Sequence, residues 1–190
     1  MKGAIFFSTR YGSTAQYADW VAQETGLPMH DIRSTRALPM DYDFLILMSP
    51  IIYYKLDFRR WLRRHRVEIM SKPAVLVTVS GAPPGGKLDA WLDDCVAPEM
   101  RAHMEHIALG GRQDPAALGW YDRMMLLIAA RRNRDKQAAR EEREGFDHMD
   151  KASIAPLVAR IRALQAQDLR VSRERAGGRP MPARKPALAH

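Results

Sequence analysis

Residues 3–24 limit what this chain can become more than any other stretch. Gly3-Ala4-Ile5-Phe6-Phe7 is short, apolar on both faces and aromatic, the pattern of a strand buried in a parallel sheet. Ala15 to Glu24 reads as a helix, with Tyr17, Ala18, Val21 and Ala22 on one side at helical spacing. Between them Ser8-Thr9-Arg10-Tyr11-Gly12-Ser13-Thr14 supplies aliphatic hydroxyls, a glycine and an arginine. A strand that turns through such residues into a helix N-terminus suits an anion, because unpaired backbone N–H groups and the positive dipole end converge there.

Two familiar phosphate loops are excluded. The turn has a single glycine, so it lacks G-x-G-x-x-G, and G-x-x-x-x-G-K-[ST] is absent as well. The run from Ile5 to Ala18 is aliphatic-aromatic-aromatic-x-Thr-x-x-Gly-x-Thr-x-x-x-Ala, which resembles the flavodoxin signature and departs from it at Asp19. The resemblance implies that Ser8, Thr9, Gly12, Ser13 and Thr14 wrap the 5′-phosphate of FMN, with Arg10 adding a charge. An ordinary hydroxyl-rich N-cap with no ligand is the plain alternative.

The remaining chain repeats the strand–helix alternation. Further strands are expected at Pro28–Ile32, Asp43–Ser49, Ala74–Val79 and Glu105–Gly111. Helices are expected at 58–70 with Asp57 as its cap, at 88–104 with a break at Pro98, and at 153–167. Such alternation gives an α/β three-layer sandwich with a parallel sheet. The resemblance sets its flavodoxin-like strand order at 2-1-3-4-5, within a domain spanning 1–167. Residues 168–190 are rich in Arg, Gly and Pro and are expected to form a disordered tail.

Ligands of such sheets bind beyond the carboxyl ends of the strands. Two more loops fall on that edge: Pro50-Ile51-Ile52-Tyr53-Tyr54-Lys55 and Ser80-Gly81-Ala82-Pro83-Pro84-Gly85-Gly86. In the resembled fold they flank the isoalloxazine ring. Tyr53 and Tyr54 are stacking candidates, one of them open to a core role instead. Gly85 and Gly86 permit a close backbone approach. Shuttle flavodoxins flip a peptide in the first of these loops; β-branched Ile51 and Ile52 disfavour positive φ, so two-electron chemistry is expected, with Lys55 favouring the anionic reduced form.

An insert over 112–150 is too long for a plain loop. Its segment 119–134 is apolar nearly all round, with Trp120 and Tyr121 at one end and Arg131, Arg132 and Arg134 at the other. That pattern fits an interfacial anchor, a quinone contact, a buried helix or a homodimer surface. Trp120-Tyr121-Asp122-Arg123-x-Met125, with Phe7-Ser8-Thr9-Arg10-x-Gly12-x-Thr14, resembles the bacterial menaquinone-dependent protoporphyrinogen IX dehydrogenases. That resemblance implies an FMN enzyme of heme biosynthesis that oxidises a tetrapyrrole and passes electrons to menaquinone or another quinone. Lys55, Arg59 and Arg123 are then candidates to pair with substrate propionates. No catalytic side chain beyond the flavin is expected. The rival is an electron-transfer protein serving a separate redox-protein partner.

Composition narrows the setting. The formal net charge is +8, unlike the acidic flavodoxins that dock on basic reductases, and points to an anionic membrane surface, an acidic protein or a carboxylate-bearing substrate. The basic residues lack interleaved aromatics, so nucleic acid is not expected. Cys95 is alone, and His103 and His106 are spaced to opposite faces, so no metal site is expected. No signal peptide or spanning segment is read, and the cytoplasm, or the inner face of the cell membrane, is the expected location.

Overall fold

A computed structural model describes residues 1–122, 124 and 144–177. Five parallel strands form the main sheet: β1 (Gly3–Phe7), β2 (Met29–Asp31), β3 (Phe44–Ile52), β5 (Ala74–Ser80) and β6 (Glu105–Gly110). Their order is β2-β1-β3-β5-β6, the expected topology once the two-residue strand β4 (Lys55–Leu56) is set aside as an antiparallel return on β3.

Alternation along the strands explains the layers. Ile5 and Phe7 of β1, Phe44, Ile46 and Met48 of β3, and Val75, Val77 and Val79 of β5 share one buried cluster with α1 (Ser13–Thr25) and α6 (Ala155–Gly177). The intervening Ala4, Phe6, Leu45, Leu47, Ala74 and Leu76 join the opposite cluster. There they meet α2 (Arg59–Arg64), α3 (Arg66–Met70), α4 (Gly86–Asp93) and α5 (Pro98–His103). A strand covered on both faces has no room for a polar side, which is why β1 is apolar throughout, β3 as far as Met48 and β5 as far as Val77. Ile161 of α6 is fully buried, and Ile161→Val is expected to cost about 1 kcal/mol. A thermal scan should show a fall of about 2–4 °C.

Several boundaries differ from expectation. The 58–70 helix is two helices meeting at His65, and Asp57 does not cap it. Asp57 instead accepts from Arg33 at 2.7 Å, while its N–H donates to Ser49 Oγ at 3.1 Å. The last helix starts after a 3-10 turn at Lys151–Ile154 and runs to Gly177, ten residues beyond the expected end. Residues 168–176 are mainly good helix formers, and the Gly177-Gly178 pair is the first strong breaker. The disorder expected for 178–190 lies outside the described residues. The insert is not a free loop at its base: β7 (Arg112–Gln113) and β8 (Phe146–Asp147) pair antiparallel. Among the described residues no helix is long and apolar enough to cross a membrane.

Candidate functional site

Parallel pairing brings the ends of β1, β3, β5 and β6 to one edge, and a cleft opens there. Thr9, Arg10, Ser13 and Thr14 line it from the first turn, Pro50 to Tyr53 from β3, and Ser80 and Gly81 from β5. These expected residues are therefore assembled together.

The first turn has the form of an anion cradle. Gly12 takes φ 90, at the N-cap of α1, and no side chain caps that helix. Thr9 Oγ1 accepts from the Gly12 N–H at 3.1 Å, and Ser13 Oγ donates to the Arg112 carbonyl at 3.3 Å. Thr14 is 1% exposed, and its Oγ1 has no partner; Ser8 Oγ, deeper in the same turn, is likewise buried and unpartnered. An orphaned buried hydroxyl is costly. Placed at a helix N-terminus with free N–H groups, Thr14 fits a phosphate.

The second loop is tighter than expected. β3 continues through Ile52, and only Tyr53 and Tyr54 make the turn back to β4. Both have positive φ, 50 and 65, the sign pattern of a two-residue hairpin that favours Asn-Gly. The expectation built on Ile51 and Ile52 is thus corrected: the left-handed positions belong to the tyrosines, and the isoleucines stay extended. Tyr53 lines the cleft, whereas Tyr54 stands outside the cleft lining against Trp91, ring centroids 4.9 Å apart. Neither is a core residue, and Lys55 is exposed outside the cleft lining. Ser8, Gly12, Ala82, Pro83, Gly85 and Gly86 also lie outside it. A Cβ on Gly85 or Gly86 would meet nothing within 4 Å, so neither marks a close contact, although Gly85 needs its φ of 140.

The insert supplies what the sequence did not flag: Gln113, Leu118, Asp122 and Phe146 also line the cleft, with Tyr11 from the first turn. Gln113 Nε2 is buried without a partner. Asp122 binds Arg10, whose Nη2 donates at 2.8 and 3.1 Å, and accepts from the hydroxyls of Tyr11 and Tyr53. Burial raises the Asp122 carboxyl, but those two hydroxyls and the guanidinium outweigh it, and the net shift is downward. Burial first, then the bond to Asp122, pushes the Tyr53 hydroxyl up. Arg10, expected at the phosphate, is therefore engaged by a carboxylate 112 residues away.

Other candidates resolve differently. Arg59 donates to the Leu56 carbonyl at 3.2 Å, and Arg123 lies outside the described residues, as does most of the 119–134 segment. His106 bonds Thr78 at 2.9 Å, and burial, then Arg101, pushes it below its ordinary value. Among the described residues no group of His, Cys, Asp and Glu could hold a metal.

An archaeal flavodoxin is 11% identical, with 75% of this chain and 94% of that one covered and a TM-score of 0.42. The Trp repressor binding protein of Bacillus subtilis is 17% identical, with 78% and 100% covered and a TM-score of 0.45. The flavodoxin of Fusobacterium nucleatum, bound to flavin mononucleotide, is 18% identical, with 56% and 70% covered and a TM-score of 0.41. No curated protein matches. A family model described as a flavodoxin domain matches residues 4–139, and the chain belongs to that family.

Proposed function

We propose that this protein binds FMN, with the phosphate at the β1–α1 turn, and acts as an FMN-dependent oxidoreductase. The observation that carries this is the buried, unpartnered Thr14 hydroxyl at an uncapped helix N-terminus. The Thr14 hydroxyl and the first N–H groups of α1, that of Ser13 among them, would hold the phosphate by neutral donors. Tyr53 would wall the ring site, and main-chain groups of Ser80 and Gly81 would border it. FMN supplies the redox chemistry when bound; the protein binds, orients and excludes water.

The finer proposal is a quinone-linked dehydrogenase of a tetrapyrrole, in the manner of the resembled protoporphyrinogen enzymes, at the inner face of a membrane. Support comes from the matching Phe7–Thr14 and Trp120–Met125 segments and from Trp120 and Tyr121, which are 78% and 52% exposed beside the cleft. Exposed amphipathic rings suit a headgroup boundary. The purified protein should turn yellow with FMN and, given protoporphyrinogen and a menaquinone analogue, produce fluorescent protoporphyrin. No turnover, with fast reduction by a ferredoxin-type donor, would favour the electron carrier; a protein that stays colourless would overturn both.

A further inference from the structure

Asp122 is the one buried charged side chain among the described residues, at 7% exposure. Each of its oxygens takes two hydrogen bonds: Oδ1 from Arg10 and Tyr53, Oδ2 from Arg10 and Tyr11. One carboxylate thus ties the insert to two other segments, through Arg10 and Tyr11 of the first turn, 112 and 111 residues away, and Tyr53 of the second loop, 69 residues away. The Arg10 guanidinium also lies 5.7 Å from the Tyr11 ring centre and 6.0 Å from that of Tyr53.

We propose that Asp122 is a positioning residue whose task is to hold Arg10 and Tyr53, so that Arg10 anchors the insert to the cleft and is not a ligand of the phosphate. The cofactor readout below rests on the FMN reading; the exchange readout does not. A guanidinium already matched by a carboxylate in a half-buried site offers little to a second anion, and moving it would strand Asp122 unpaired, which is expensive. Both bonds to Asp122 come from Nη2, which offsets the guanidinium charge there and leaves the phosphate to the neutral donors of the cradle. Backbone strain supports the other half of the role, the hold on Tyr53. Tyr53 holds φ 50, a conformation that persists only where its surroundings over-determine it, and its hydroxyl is fixed on Asp122.

The two roles for Arg10 separate cleanly when FMN is compared with riboflavin, which lacks the phosphate. Arg10→Gln and Asp122→Asn are each expected to weaken both ligands by about tenfold or more, as loss of a charge-assisted hydrogen bond implies. The ratio of the two affinities should stay within about twofold of the wild-type value, since no phosphate contact is lost. The double variant should be no worse than either single one, as for two partners of one interaction. Tyr53→Phe should act in the same direction and more weakly. Independently, in the cofactor-free proteins, amide exchange at 118–122 and 50–54 should speed up in all three variants. Loss of FMN binding alone in Arg10→Gln would make that residue a phosphate ligand and overturn the proposal. Tighter FMN binding in Asp122→Asn would also overturn it, because the carboxylate would then be a competitor. Unchanged exchange in Asp122→Asn overturns it whether or not FMN binds, whereas wild-type protein that takes no FMN sinks only the cofactor reading.

Discussion

Thr14→Val is expected to make the cofactor-free protein more stable and its hold on FMN weaker. Valine keeps the shape of threonine and nearly its helix propensity, so packing in α1 is preserved. What it removes is a hydroxyl that is 1% exposed and has no partner. A buried polar group left unsatisfied costs about 1–3 kcal/mol, and its removal should raise the melting temperature by several degrees. With FMN the sign reverses. A hydrogen bond to a charged group contributes about 1.5–3 kcal/mol, so affinity should fall roughly ten- to a hundredfold, while riboflavin binding stays nearly unchanged. Thermal scans of the cofactor-free protein and fluorescence titrations with both ligands measure the two halves. A variant that gains no stability and binds FMN like the wild type would show that the Thr14 hydroxyl does not serve the phosphate.

The cradle and the layers were legible for one reason: each is encoded by residues adjacent in the chain. Strands buried on both faces must be largely apolar runs, as β1 is throughout, β3 as far as Met48 and β5 as far as Val77; a phosphate turn needs hydroxyls next to a helix start, and residues 8–14 supply them. The tyrosine turn was misread because two bulky residues occupy positions that usually demand Asn and Gly, and only tertiary contacts hold them there. Asp57 could cap by spacing, but Arg33, 24 residues away, engages its carboxylate. Asp122 was invisible as a partner of Arg10 for the same reason. Nothing in the spacing of 10, 11, 53 and 122 announces a shared carboxylate; it exists because β7 and β8 bring the start of the insert back across the sheet edge.

Gly110→Ala should therefore disturb the cleft although Gly110 itself does not line it. A Cβ on Gly110 would overlap the main-chain carbonyl of His148, where no rotamer change can relieve it. The neighbouring bonds that seat the insert, from the His148 N–H to the Gly111 carbonyl at 3.0 Å and from the Gly111 N–H to the Ser80 carbonyl at 2.7 Å, would have to yield. Overpacking costs about 1–3 kcal/mol, and a main-chain obstacle puts this site at the upper end. The melting temperature should drop by about 6–10 °C. Displacement of β8 would carry Phe146 off Gly81, where a Cβ would overlap the ring edge, and would loosen Gln113 and Asp122 at the cleft wall. FMN should consequently dissociate faster. Gly86→Ala is the matched control: its Cβ would meet nothing within 4 Å at the start of α4, and alanine there should be neutral or stabilising by up to about 1 kcal/mol. If Gly110→Ala and Gly86→Ala melt alike, the insert is not docked through its main chain, and the route from the sheet edge to Asp122 must run elsewhere.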